Sequence, residues 1–252
     1  MPDENRTVAN FTILFLFALA LADAGVWYEV FRGTPPSRAA FYFLDVGQGD
    51  ATLAVFPGGA TVLTDAGPDQ AIVRALERLP LKKKFSIDLA VISHPQLDHF
   101  NGFNSLLSRY KIGAFLVNGR VPLEENPSWE ELLQKISALQ VPLIRIGAGD
   151  RIRYRESSID ILSPDEFYVQ SAELNDTSIV ALVRTGGLRA LLTGDIDSRV
   201  EAALVERDAP LAADILRAIA GEALSGSEFD PEVFSATLPR LFSLCCHASI
   251  VY

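Results

Sequence analysis

From residue 40 onward the chain is a succession of short apolar runs separated by glycine- and proline-containing turns, and this pattern restricts the fold most. Such runs predict strands at 40–46, 51–56, 60–64, 87–93, 114–117, 141–146, 151–155, 158–162, 177–184 and 188–193. Helices are predicted at 70–79 and 100–109, from Ser128 onward, and at 198–206. The helix at Ser128 is expected to begin with a capping box, because Glu131 stands three residues later. Hairpin-like groups of strands, with helices between some of them, predict an α/β fold of two mixed sheets covered by outer helices.

The length and composition fit one folded domain and a short extra segment. The chain has 252 residues, of which 49% are hydrophobic and 21% charged, a balance typical of packed globular proteins. Disorder requires fewer apolar residues, so the composition argues against it for the body of the chain. We expect an N-terminal segment at 1–32, a linker at 33–39, the main domain at 40–217 and a divergent end of that domain at 218–252.

The N-terminal segment is strongly hydrophobic and admits three interpretations. Residues 11–22 have the length of a signal-peptide core, and Ala20-Leu21-Ala22 resembles a cleavage site. Residues 11–31 are long enough to cross a bilayer as a helix. Only one basic residue, Arg6, precedes the apolar run, which is a poor signal-peptide start, so an uncleaved membrane anchor is favoured. A buried core helix is the third alternative.

The charge and the cysteines argue against loose nucleic-acid binding, a disulfide framework and a CxxC metal site. A net charge of −10 repels phosphate backbones and opposes loose, non-specific nucleic-acid binding. A local site in which a bound metal reverses the field stays open. The two cysteines, Cys245 and Cys246, are adjacent, so the chain has neither a disulfide framework nor a CxxC metal site.

The segment Ser93–His99 is the sharpest chemical signal in the chain. It reads SHPQLDH and stands between a predicted buried strand and a predicted helix. A sharp loop stiffened by Pro95 would direct His94, Asp98 and His99 into one space. Imidazole and carboxylate groups are ligands for zinc, and they also suit manganese or iron. The alternative is that Asp98 caps the helix and the histidines are structural.

Two further segments carry polar side chains at strand ends. Asp195 follows an apolar strand and a glycine, so its carboxylate can reach a metal site, or it can serve as a helix cap or turn residue. Asn175 and Ser178 stand at the start of a predicted strand and could hydrogen-bond a substrate oxyanion or a metal-bound water. An Asx-turn is the alternative for Asn175. The glycine-rich turn 45–50 lacks the features of a phosphate loop.

Together, the order and spacing of these segments resemble a known family. They are similar to the metallo-β-lactamase superfamily and, within it, to the soluble hydrolase domain of ComEC-type DNA-uptake competence proteins. The resemblance covers residues 40–217 and rests on FLDVGQGDA (43–51), LTDAGP (63–68), AVISHPQLDHFNG (90–102), LNDTSIV (174–180), LLTGDI (191–196) and LAADIL (211–216). It implies a four-layer αβ/βα sandwich with a mono- or dinuclear metal site at one edge of the sheets. It also implies hydrolysis of a phosphodiester or similar ester by a metal-activated hydroxide.

The resemblance assigns roles to individual residues. It implies that His94 serves a first metal and that Asp98 and His99 serve a second. Asp195 would bridge the two metals or complete the site. The resemblance places Asp65 near the metal pocket. Asn175 and Ser178 stand where this subfamily replaces a metal-binding histidine. Together with Asp98, they are the expected catalytic residues.

Two departures from the family pattern bear on the number of metals. Gln96 stands where the family has His, or sometimes Asp, and an amide is a weak ligand that can hydrogen-bond a metal-bound water. The family's His-His-Gly-Ser loop is absent after Leu216, where residues 217–223 contain no histidine. Asp98, His99 and Asp195 still make the three ligands of one catalytic metal, whereas a two-metal site is short of ligands.

These observations lead to three functional hypotheses. The first is a membrane-anchored, metal-dependent hydrolase of phosphodiesters, with single-stranded DNA or a nucleotide as substrate, in DNA uptake. The second is a catalytically impaired relative that binds nucleic acid or a partner. The third is a hydrolase of another ester or thioester. An anchor at residues 11–31 would place the chain in the cell membrane as a single-pass protein with its domain extracytoplasmic, and a cleaved signal would make it a secreted protein.

Overall fold

The computed structural model describes residues 4–32, 36–81 and 86–217. The chain divides into two compact units, Met1–Pro35 and Pro36–Tyr252. The predicted C-terminal part, 218–252, and residues 33–35 of the predicted linker lie outside the described residues.

The first unit contains a single described helix, α1 (Glu4–Arg32). Its segment Asn10–Tyr28 is long and apolar enough to cross a membrane, by length and composition only. A signal sequence passes the same test, so the predicted apolar helix is confirmed and the choice between anchor and signal stays a prediction.

The second unit contains short helices and strands in the order expected from the apolar runs. Its described helices are α2 (Ala71–Glu77), α3 (Leu97–Phe100), α4 (Gly102–Leu106), α5 (Pro127–Ala138) and α6 (Ser198–Glu206). Its described strands are β1 (Ala40–Phe43), β2 (Thr52–Val55), β3 (Thr61–Thr64), β4 (Ser86–Ile92), β5 (Lys111–Val117), β6 (Leu143–Arg145), β7 (Arg151–Tyr154), β8 (Ser157–Ser163), β9 (Val180–Thr185), β10 (Leu188–Leu192) and β11 (Ile215–Arg217).

These strands form two mixed sheets, as predicted. The first sheet has the order β1-β2-β3-β4-β5-β6; its first three strands are antiparallel and its pairs from β3 to β6 are parallel. The second sheet has the order β11-β10-β9-β8-β7, in which only the pair β10–β11 is parallel. Parallel pairs need crossover connections, and the helices between β3 and β6 supply them.

Three apolar clusters define four layers. One cluster packs the first sheet against α2, α4 and α5, and another packs the second sheet against α6. Between the sheets lies a third cluster, to which β9 contributes Ala181 and Val183 while Val180 and Leu182 face α6. This alternation follows from the two-residue period of a strand that is buried on both faces. The predicted four-layer αβ/βα sandwich is therefore confirmed.

The predicted helix at 100–109 is confirmed only in part, because helix α4 occupies Gly102–Leu106 and a separate short helix, α3, precedes it. The backbone N–H of Gly102 donates to the carbonyl of Gly67 at 2.9 Å instead of continuing helix α3. The side chain of Asn101 donates to the carbonyl of Pro68 at 2.7 Å. These bonds to the loop after β3 break the helix and fasten that loop beside α3.

The predicted strand 177–184 begins later, at Val180. A short 3-10 turn occupies Asn175–Thr177, and the Thr177 hydroxyl donates to the carbonyl of Leu174 at 2.7 Å. The Thr177 carbonyl accepts from the side chain of Asn118 at 2.6 Å. Local side-chain bonds of this kind compete with strand pairing and keep Asn175 and Ser178 in a loop.

The predicted capping box of Ser128 and Glu131 is also wrong. Asn126 is the N-cap of α5, and its side-chain oxygen accepts from the N–H groups of Ser128 and Trp129 at 3.1 and 3.2 Å. Pro127 occupies the first turn, where its missing N–H is tolerated. Glu131 instead lies 2.6 Å from Lys135 in an ion pair along the helix.

Replacing Asn126 by alanine is therefore expected to lower the free energy of unfolding by about 1 kcal/mol, the usual contribution of an N-cap side chain. Chemical denaturation of the full chain measures this change. Ser128→Ala is the matched control and should change the free energy by less than about 0.5 kcal/mol, as at an ordinary surface position. An equal loss in both variants would show that the capping box forms after all.

Candidate metal centre

The predicted site residues meet at one edge of the two sheets. Asp65 directly follows β3, and His94 follows the parallel neighbour β4. Asp195 comes from the turn after β10 in the second sheet, and Ser178 comes from the loop before β9. Because parallel strands end at the same edge, side chains far apart in the sequence face one space.

His94, His99 and Asp195 form a compact group of ligand atoms. One ligand atom from each lies within 4.8 Å of the others, and the two imidazole rings have centroids 4.3 Å apart. The Nε2 atom of His99 lies 3.2 Å from Oδ2 of Asp195. Among the described residues, the buried atoms His94 Nε2 and Asp195 Oδ1 have no hydrogen-bond partner. Buried polar atoms are costly without a partner, and a divalent cation fits this set of donors.

Asp65 holds the histidine side of the group in position. Its backbone has a positive φ of 58°, and its side chain is fully enclosed. One carboxylate oxygen accepts the backbone N–H of Ser93 at 2.8 Å. The other accepts the Ser93 hydroxyl at 2.7 Å and contacts Nδ1 of His99 at 3.0 Å. These contacts aim Nε2 of His99 at Asp195, so Asp65 acts through His99 and does not join the ligand atoms.

Counting protons on Ser93 assigns the form of His94. The single hydroxyl proton of Ser93 goes to Asp65, because a carboxylate cannot donate. The Ser93 oxygen, 3.0 Å from Nδ1 of His94, must then accept a proton from that nitrogen. His94 therefore carries its proton on Nδ1 and presents the lone pair of Nε2, which is the arrangement a metal ligand needs.

The electrostatics of the two histidines differ. Burial and the neighbouring His99 lower the pKa of His94 below its usual value, so His94 is neutral near pH 7. Burial also acts to lower the pKa of His99, but the carboxylates of Asp65 and Asp195 outweigh it and raise that pKa to about 11. Without a metal, His99 therefore holds a proton between two carboxylates, and a divalent cation can supply that positive charge instead.

Asp98 and Asp195 do not cap helices. The N-cap position of α3 is Gln96, which makes no side-chain cap bond, and α6 is capped by Asp197. The alternative interpretation of both residues as caps is therefore wrong. Asp98 lies at the mouth of the site, where Oδ1 is 4.0 Å from Nε2 of His99 and the side chain is 25% exposed.

The two amides of the site bind each other. Nε2 of Gln96 donates to Oδ1 of Asn175 at 2.7 Å. The hydroxyl of Ser178, in the same loop as Asn175, lies 3.2 Å from Nδ1 of His94 and accepts the backbone N–H of Asp195 at 3.2 Å. Ser178 therefore links the first and second sheets beside the ligand group.

Sequence reasoning missed two supporting residues, Ser93 and Asn118. The buried amide of Asn118 donates to the carbonyls of Ser93 and Thr177 at 3.2 and 2.6 Å, which ties the His94 loop to the Ser178 loop. The only signal for Asn118 was a polar residue directly after the apolar strand β5. Ser93 was visible as the residue before His94, but its bond to Asp65 joins positions 28 residues apart.

Comparison with known proteins places this fold and site in a family. The model of the metallo-beta-lactamase superfamily matches residues 44–230, and the chain belongs to that superfamily. Members are typically metal-dependent hydrolases, and the cluster of His94, His99 and Asp195 indicates binding of a divalent metal.

One curated relative is ComE operon protein 3 of Bacillus subtilis (strain 168), which is 23% identical over 194 residues. The match covers 69% of this chain but 24% of that protein, so the chain spans about a quarter of its relative's length. This similarity supports the predicted resemblance to ComEC-type hydrolase domains.

Similar solved structures include CmlA, a diiron beta-hydroxylase from Streptomyces venezuelae, which is 16% identical with a TM-score of 0.46. That match covers 81% of this chain and 40% of CmlA. Another is the metallo-beta-lactamase fold protein YhfI from Bacillus subtilis, 14% identical with a TM-score of 0.41, with 62% of each chain covered.

Proposed function

We propose that this chain is a metal-dependent hydrolase of phosphodiesters, with DNA or a nucleotide as substrate. The observation that carries the proposal is the convergence of His94, His99 and Asp195, with unpartnered ligand atoms, at the edge of the two sheets. Three protein ligands and an open position are typical of a catalytic zinc site. Zinc is the metal we expect, and manganese or iron also suits these ligands.

A bound divalent ion supplies Lewis-acid activation of water and of the ester phosphate. Asp98, partly exposed beside His99, is placed to accept the proton of the attacking water as a general base. Asn175 uses its oxygen to accept from Gln96, which leaves its N–H groups to orient a substrate oxygen. Ser178 fixes the Nδ1 side of His94 and the backbone of Asp195, and so keeps the ligands aligned.

We further propose that residues 11–31 anchor the chain in the cell membrane, with the domain extracytoplasmic, in a DNA-uptake context. The apolar helix and the similarity to ComE operon protein 3 support this placement. Protease treatment of intact cells tests it. Digestion of the domain supports the placement, whereas full protection contradicts it, and release of the chain into the medium would indicate the secreted alternative.

The activity is tested with the full chain, purified in detergent, stripped of metal and reloaded with zinc, manganese or iron. A nucleotide diester, single-stranded DNA and a β-lactam are the substrates. We expect metal-dependent cleavage of the diester or of DNA, and a loss on the order of 100-fold or more in Asp195→Asn, because an amide is a poor replacement for an anionic ligand. Asp208→Asn, at an exposed position, is the matched control. No diester cleavage with any metal contradicts the proposal.

A second candidate function is a catalytically impaired relative that binds nucleic acid or a partner protein. The hydrogen bond between Gln96 and Asn175 favours this candidate. Amides are weak metal ligands, and these two bind each other. Binding of single-stranded DNA by the full chain, unchanged in Asp195→Asn and without turnover, would support this candidate over the first.

A further inference from the structure

The Gln96–Asn175 amide pair crosses the site between its two sheets. Gln96 belongs to the loop after β4, and Asn175 to the loop before β9. Their bond of 2.7 Å lies near His94, since Gln96 follows His94 by two residues and Ser178, three residues after Asn175, lies 3.2 Å from Nδ1 of His94. Both residues are half-buried. The pair therefore fills the flank of the site next to His94 with a closed hydrogen bond.

The ligand atoms of the described residues suffice for one ion. The ligand atoms of His94, His99 and Asp195 form one group within 4.8 Å, and the 3.2 Å between Nε2 of His99 and Oδ2 of Asp195 suits ligands at about 2.0–2.2 Å from a common zinc ion. Two ions held about 3.5–4 Å apart would need a second set of anionic or imidazole ligands. On the flank next to His94, the structure places an amide pair instead.

We propose that the site holds a single divalent ion, bound by His94, His99 and Asp195, and that the Gln96–Asn175 amide pair occupies the place of a second ion. This inference rests on the proposed metal-dependent function. It differs from the assignment that places His94 at one metal and Asp98 with His99 at another. Asp98 is left outside the ligand set, free to act on substrate or water.

The test counts bound metal in the full chain after reloading with manganese and removal of excess ion. Elemental analysis gives the number of equivalents, and electron paramagnetic resonance distinguishes an isolated Mn²⁺ ion from a spin-coupled pair. We expect about one equivalent and the spectrum of an isolated ion. Two equivalents with a coupled spectrum would overturn the single-ion inference and leave the proposed function intact, whereas no bound metal would overturn both.

Two variants test the role of the amide pair. Asn175→Ala should keep about one equivalent, because its amide is not a ligand in this arrangement. The double variant Gln96→His and Asn175→His should gain a second equivalent and a coupled spectrum, because imidazoles replace the amides beside His94. Metal loss in Asn175→Ala would mean that the amide is a ligand and would overturn the inference.

The control for the double variant is Gln134→His, which adds a histidine on the exposed face of α5. It should bind no more metal than the wild-type chain. Thermal unfolding of each variant shows whether it is folded when the metal is counted. A folded double variant that still binds only one equivalent would overturn the proposed role of the amide pair in excluding the second ion.

Discussion

Replacing His99 by alanine is expected to remove the bound metal and to abolish hydrolysis. His99 lies between the positioning residue Asp65 and the ligand Asp195, because its Nδ1 is 3.0 Å from Asp65 and its Nε2 is 3.2 Å from Asp195. Loss of outer-shell partners alone typically weakens metal binding by about 10–100-fold, so loss of this ligand should exceed 100-fold. Metal content after desalting, measured by elemental analysis, gives the result.

The variant also needs a measurement that separates metal loss from unfolding. In the wild-type chain, metal should raise the midpoint of thermal unfolding, because a ligand that binds only the folded state stabilises it. In His99→Ala, metal should leave the midpoint unchanged. Leu97→Ala, at a 45% exposed position two residues away, is the control and should respond like the wild-type chain. If metal raised the unfolding midpoint of His99→Ala as much as that of the wild type, His99 would not be a ligand and the proposed metal site would be contradicted.

The layers of the fold could be predicted because they depend on local patterns. The alternation in β9, with Ala181 and Val183 on one face and Val180 and Leu182 on the other, is a property of consecutive residues. The bounds of the helix predicted at 100–109 could not be predicted correctly, because the bond that separates α3 from α4 joins Gly102 to Gly67 across the fold. Element boundaries failed where a distant partner overrode the local pattern.

The candidate site was predicted in part for the same reason. His94 and His99 stand in one short segment, so their proximity follows from the sequence alone. The proton assignment of His94 depends on Ser93 and Asp65, which meet only after β3 and β4 pair. The amide pair of Gln96 and Asn175 joins positions 79 residues apart. Single-sequence patterns contain no information on such contacts.

The glycine-rich turn at 45–50 acquires a function from its position against α3. Gly49 has a φ of +79°, and a Cβ atom added there would lie 1.9 Å from the backbone oxygen of Asp98. Gly47 has a similar φ of +84°, but a Cβ atom there would meet nothing within 4 Å. Both positions therefore require a residue that tolerates a positive φ, but only Gly49 lies against the backbone of Asp98.

Gly49→Ala is expected to destabilise the chain by about 2–5 kcal/mol, the sum of a left-handed backbone penalty and a steric clash. Gly47→Ala should cost only the backbone penalty, about 1–2 kcal/mol. Because the clash is with backbone, it can be relieved only if the turn moves away from helix α3 or if α3, which carries Asp98 and His99, shifts. Gly49→Ala should therefore also weaken metal binding and turnover, while Gly47→Ala leaves both near the wild-type values.

Denaturant unfolding and metal titration of the two variants measure these effects. Equal losses in both variants would mean that the turn does not hold the Asp98 backbone, and that the glycine at position 49 serves the turn alone.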